Sequence, residues 1–184
     1  MRERAKPLAL ALAVVALLPA AVSGCGGNGA PASDGPLSSA ASIHGPVARG
    51  SECSLATGRP QTFGLQVFTN YGNTTVILDR VVLLSTHNER LIGSYAVPGD
   101  SVIGSPHGWP PSYPGMPAAW KHRQPVHSYR VRPGKTFNLV IGVVAITSHR
   151  ATSRGMLVYY HDPAGSYVAR DYWATIIAAK SHSC

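Results

Sequence analysis

This 184-residue chain predicts an all-β fold, a single antiparallel β-sandwich of about seven strands. Three observations carry that expectation. From residue 62 onward, short runs rich in β-branched and aromatic residues recur, most with the two-residue alternation of a strand. Turn chemistry divides them at Tyr71-Gly72-Asn73, Arg132-Pro133-Gly134-Lys135 and Asp162-Pro163-Ala164-Gly165. Past the N-terminal segment, no stretch repeats its apolar residues with a helical period. A closed barrel would suit the same spacing.

The N-terminal segment comes first in chain order. Arg2, Arg4 and Lys6 precede an apolar run from Pro7 to Val22, the pattern of a secretory signal over 1–24. A membrane span needs about 20 apolar residues; this run is shorter, holds Pro7 and Pro19, and has no basic stop-transfer cluster after it. Its end, Val22-Ser23-Gly24-Cys25, resembles the lipobox of bacterial lipoproteins. That resemblance implies a diacylglycerol on the Cys25 thiol and cleavage just before it. It also implies anchoring at the extracytoplasmic face of the cell membrane.

Residues 25–50 are dominated by Gly, Ala, Ser and Pro, with large apolar side chains nearly absent. Such a stretch cannot bury a core and predicts a flexible tether with an r.m.s. span of about 25–30 Å. It leads into a folded domain over 51–184. The strands expected there begin with 62–70, whose Phe63, Leu65 and Val67 share one face. The next, 74–86, is bulged near Asp79-Arg80, where the apolar set shifts phase. Strands over 90–97 and 126–131 follow. The fifth, 136–148, is apolar on both faces, as a strand buried on both sides would be. The last two occupy 155–161 and 166–179. This set resembles the immunoglobulin-like (Ig-like) architecture, without the Cys–Trp–Cys spacing of antibody domains. As a whole, the chain is similar to small secreted actinobacterial lipoproteins with one Ig-like domain, a resemblance that brings no functional motif.

The whole chain has 16 Lys+Arg against 8 Asp+Glu, and removing the signal leaves a net charge of +6. The basic residues are scattered, the densest group being Lys121, Arg123, Arg130, Arg132 and Lys135. No helix or Gly/aromatic RNA-binding signature accompanies them, so the reading excludes nucleic acid and points to anionic lipid headgroups and wall polymers. Of three cysteines, lipidation of Cys25 leaves Cys53 and Cys184. In an oxidising compartment these two predict a disulfide, which closes a loop of about 130 residues and is worth about 5 kcal/mol in the chain-entropy model.

The segment 98–127 is far longer than the usual connection of about two to six residues. Seven prolines stiffen it, and Trp109, Tyr113, Met116 and Trp120 offer contact surface. Two expectations follow: a partner-binding surface of low conformational entropy, or a cap folded over the open end of the sandwich. The run Lys121-His122-Arg123 places the neighbouring Trp120 at the surface. His107, Met116, His122 and His127 carry the donor types that suit copper, which makes a small extracytoplasmic metal carrier the alternative to a binding module. The domain is not expected to be an enzyme. No Gly-x-Ser-x-Gly elbow, His-Glu-x-x-His pair or phosphate-cradling loop is present, and the carboxylates are dispersed.

Overall fold

The computed structural model describes residues 35–39, 50–55 and 58–179. The signal segment, Cys25, most of the tether and Cys184 lie outside the described residues. Among the described residues there are twelve strands: β1 (Leu37–Ser39), β2 (Ser51–Leu55), β3 (Gln61–Asn70), β4 (Val76–Leu83), β5 (Glu89–Pro98), β6 (Gln124–Pro125), β7 (Arg130–Val131), β8 (Thr136–Ala145), β9 (Ala151–Ser153), β10 (Met156–Asp162), β11 (Gly165–Asp171) and β12 (Ala174–Ala178). They form sheets of order β1-β3-β8-β5-β6, β11-β10-β4-β7 and β2-β12-β9.

The all-β sandwich expectation holds, and its topology is specific. In the immunoglobulin constant-type arrangement, strands lettered A to G in chain order form sheets ABED and CFG. Lettered in the same way, β1, β3, β4, β5, β8, β10 and β11 reproduce both orders. The count of about seven strands is corrected to twelve, because five short pieces surround this frame. The antiparallel expectation is corrected at one pair, since β2 and β12 run parallel.

Each difference has a local cause. The strand expected over 166–179 is two strands: the Asp171 carboxylate accepts the Trp173 backbone N–H at 2.8 Å and turns the chain. Gly155, at φ 142°, separates β9 from β10 directly against Asp171, so both ladders break at one level, and β12 lies between β2 and β9 in a sheet of its own. The strand expected over 126–131 survives only as β7. Here the chain crosses between the sheets, β6 pairing with β5 and β7 with β4, and buried Val126 and Tyr129 plug the edge it crosses. The tether expected over 25–50 is interrupted by β1, whose Leu37 is buried in the core and whose backbone pairs with the end of β3. Sequence reading missed it because three residues carry no periodicity.

Between the two main sheets, Phe63 and Phe68 of β3 and Phe137, Leu139, Ile141 and Val143 of β8 face Val76 and Leu78 of β4 and Met156, Val158 and Tyr160 of β10. Full burial of such side chains stabilises by about 1.5–3 kcal/mol each. The bulge expected near Asp79-Arg80 is present: Tyr159 pairs with Arg80 and Tyr160 with Leu78, leaving Asp79 extra. Its carboxylate receives the His161 ring nitrogen at 2.8 Å.

A second, smaller core covers the outer face of the five-stranded sheet. It contains Val97, Ile103, Trp120 and Val140, with Tyr95, Trp109 and Met116 packed against them. This is why β8 is apolar on both faces: Leu139 and Ile141 face the other sheet, while Val140 faces the long loop.

Candidate functional site: the long loop and its stem

The 98–127 segment is a third layer of the domain. Leaving β5, it crosses to the edge of β3 that β1 does not reach. There the Ile103 and Gly104 N–H groups donate to the Gly64 carbonyl at 3.1 and 3.2 Å. Further along, Thr62 N–H donates to the Pro106 carbonyl and Gly108 N–H to the Pro60 carbonyl. Asn138, fully buried, ties this strap down: its Oδ1 accepts the Ile103 N–H and its Nδ2 donates to the Gln66 carbonyl. The strap thus pairs an edge that would otherwise be open to another chain.

On the return path, Trp109 lies against Gly93 and Gly142, which are partners across β5 and β8. It stacks on Tyr95 with ring centroids 5.3 Å apart. A 3-10 turn over Ala118–His122 follows, and its Trp120 is only 7% exposed. The surface expectation for Trp120 is therefore corrected. With three residues per turn, Trp120 points inward while Lys121 and His122 take the exposed sides. Arg123 closes the ring from outside, its guanidinium 4.6 Å from the Trp120 centroid and Nη1 donating to the Trp120 carbonyl. Tyr113 donates its hydroxyl to the Ile103 carbonyl at 3.0 Å, and Met116 packs on the same cluster. Of the four residues expected to meet a partner, Trp109, Met116 and Trp120 are thus brought together against the sheet, and Tyr113 is bonded to the strap beside them. The cap alternative describes them, with the covered surface being the sheet face and not the sandwich end.

The metal-ligand set is dispersed. His107 Nδ1 lies 3.0 Å from Gln61 Oε1 on β3, whereas His127 reaches the Asp79 carbonyl on β4 of the opposite sheet. His122 is exposed at the end of the 3-10 turn, and Met116 faces the sheet. Among the described residues, no three His, Cys, Asp or Glu side chains are grouped to hold a metal ion.

An open cleft of about 1000 Å³ lies where the loop leaves and rejoins the sandwich. Asp100 borders it where the loop leaves, Gln124 and Ser128 where it returns, and Arg130, Arg132 and Lys135 beyond. The Arg132-Pro133-Gly134-Lys135 turn forms as expected, with Lys135 N–H donating to the Arg132 carbonyl at 3.1 Å. Gly134, at φ 67°, lets its own N–H reach the Asn70 carbonyl. The three cations are exposed, and none forms an ion pair with a described carboxylate. Asp162, on the hairpin at this same end, is held by the Thr74 hydroxyl and by the N–H groups of Ala164 and Gly165. The Thr74 bond leads the interactions that lower its pKa. The cleft therefore offers unpaired positive charge and hydrogen-bond donors, which suit an anion. Sequence reading had these cations within its densest basic group; the crossing at 126–131 is what sets them beside the loop stem.

Sequence reading also missed the buried carboxyls. Glu89 is 5% exposed, and the Thr175 hydroxyl lies 2.9 and 3.1 Å from its two oxygens, with Ser153 behind it. Glu52 is 4% exposed beneath the strap, hydrogen-bonded by Ser105. Desolvation pushes each up to about 7.

No protein-family model matches the chain, and no curated protein matches it. Two solved structures share a distant likeness. The Vibrio cholerae VesB protease is 9% identical with a TM-score of 0.38; the likeness covers 78% of this chain, which spans 32% of the protease. The ASH / PapD-like domain 7 of human CEP192 is 11% identical with a TM-score of 0.38, over 91% of this chain and 96% of that domain. At these scores neither carries an argument about fold or function, and the Ig-like assignment rests on strand order.

Proposed function

We propose that this chain is a lipid-anchored extracytoplasmic binding module, held by a diacylglycerol on Cys25 and presenting the cleft at the loop stem to an anionic ligand. The observation that carries the binding reading is the group Arg130, Arg132 and Lys135, exposed around one cleft without carboxylate partners among the described residues. The aromatic residues first expected to meet a partner serve instead to fix that stem: Trp109 and Trp120 clamp the loop to the sheet, so the cleft walls are held by packed structure.

Export is supported by the signal pattern, and in an oxidising compartment, where such bonds persist, Cys53 forms a disulfide. Its partner in this proposal is Cys184. Thiol counting on the denatured protein before and after reduction tests the pairing: no free thiol before reduction, and one freed thiol in Cys184→Ser, are the expected results. Membrane partitioning tests the anchor. Wild type remains with membranes after a high-salt wash, whereas Cys25→Ser does not; an unmodified Cys25 after cleavage elsewhere would overturn the reading.

A further inference from the structure

The described chain begins at the same end of the sandwich as the basic cleft. Leu37 pairs with Asn70, and the Pro36 carbonyl accepts the Tyr71 N–H at 2.9 Å. The cleft turn hangs on the same residue, with Gly134 N–H donating to the Asn70 carbonyl and Asn70 N–H to that of Lys135. Gly35 stands ten positions after Cys25, so covalent geometry keeps it within about 36 Å of the anchor. Tyr71, 62% exposed, projects beside that attachment point. An aromatic ring with a polar tip is the side chain favoured at headgroup level.

We infer that this end of the domain faces the membrane, and that Arg130, Arg132, Lys135 and Tyr71 contact the headgroups of anionic phospholipids in the leaflet that holds Cys25. The inference rests on the anchored reading above. Charge alone does not select this end, because Arg90, Arg150 and Arg154 are exposed at the opposite one. What selects it is the coincidence of cleft, aromatic and chain attachment. Among the described residues, the acidic groups there are Asp100, on the cleft wall, and Asp162, occupied by Thr74 and the hairpin N–H groups. Neither pairs with the three cations. A lipid phosphate would supply the missing counter-charge.

The test uses the membrane-extracted protein reconstituted into phosphatidylcholine vesicles, with or without phosphatidylglycerol, and reads amide hydrogen exchange. Exchange over 71–75 and 128–136 should slow about fivefold on the anionic vesicles, the change that one well-placed cation gives at a charged surface. Exchange over 147–154, at the opposite end, should not change. Arg130→Gln/Arg132→Gln/Lys135→Gln should abolish the protection, and the charge-matched Arg90→Gln/Arg150→Gln/Arg154→Gln should leave it intact. Protection at the opposite end, none on anionic vesicles, or equal effects of the two triple variants would overturn the inference. Equal protection by soluble glycerol phosphate on plain phosphatidylcholine would also overturn it, identifying a site for a free anion. Salt-resistant retention on plain phosphatidylcholine reads the anchor alone, so failure of the anchored reading is seen separately.

Discussion

The indole of Trp109 fills the space that a side chain at Gly142 would need. Gly93, the cross-strand partner of Gly142, makes the same allowance, so the two glycines form a flat window in the outer face of the sheet. A methyl group at 142 must displace the ring, and overpacking of this kind costs about 1–3 kcal/mol. Gly142→Ala should therefore lower stability in urea by about that amount and raise Trp109 exposure to a collisional quencher. An unchanged midpoint with unchanged quenching would show that the window is not what seats the ring.

Trp120 is the stronger clamp. It is 7% exposed, edge-on to Tyr95 at 5.6 Å and covered by Arg123. Trp120→Ala should cost about 3 kcal/mol, in the range for deleting a buried aromatic. The damage should be local first: amide exchange over 99–123 should rise before that of β4 and β10. Near-neutral stability would return Trp120 to the list of contact residues.

Strand existence was legible wherever periodicity and turn chemistry agreed, as in β3, β8 and the β10–β11 hairpin. The bulge at Asp79 was legible because a phase slip in the apolar pattern is a direct record of an extra residue. What was not legible depended on neighbours distant in sequence. β1 is a strand only because the end of β3 accepts it, and β2 only because the chain turns at Asp171. The inward face of Trp120 follows from a 3-10 turn, while its flanking sequence reads as surface. One signal was available and unused: Gly93 and Gly142 in strand interiors mark close approach by another group. For the site, the closeness of Arg130, Arg132 and Lys135 was visible in the sequence, but the cleft beside them arises from a sheet-to-sheet crossing that no local pattern announces.

Tyr160 fixes the first described strand. Its hydroxyl, fully buried, accepts the Leu37 N–H at 3.1 Å, and its ring stacks on Tyr167. Removing the hydroxyl leaves a buried donor without a partner, a loss of about 1–3 kcal/mol. Tyr160→Phe should destabilise the domain within that range and accelerate exchange at Leu37 selectively, leaving β8 protected. Equal acceleration throughout would mean that β1 and the core unfold as one unit, and that the bond does not anchor β1 separately.

The buried carboxyls set the pH dependence, and its sign is opposite to that of a salt-bridged acid. Burial raises Glu89 and Glu52 from an ordinary 4.5 to about 7, desolvation being the main cause in both. Between those values the folded chain keeps protons that the unfolded chain has released. Stability is therefore greatest below about pH 4.5, as far as these groups decide it, and declines as pH rises through 7. Each contributes a decline of about 3 kcal/mol at most, and Asp171, raised by the same cause, adds to the slope. Glu89→Gln keeps an acceptor for Thr175 without a charge. It should match wild type near pH 4.5, exceed it at pH 8, and reduce the slope between them; Glu52→Gln should act likewise. Denaturant unfolding at pH 4.5, 6, 7 and 8 measures this, and a wild-type curve that rises across the interval would show that the two carboxyls are solvated in solution.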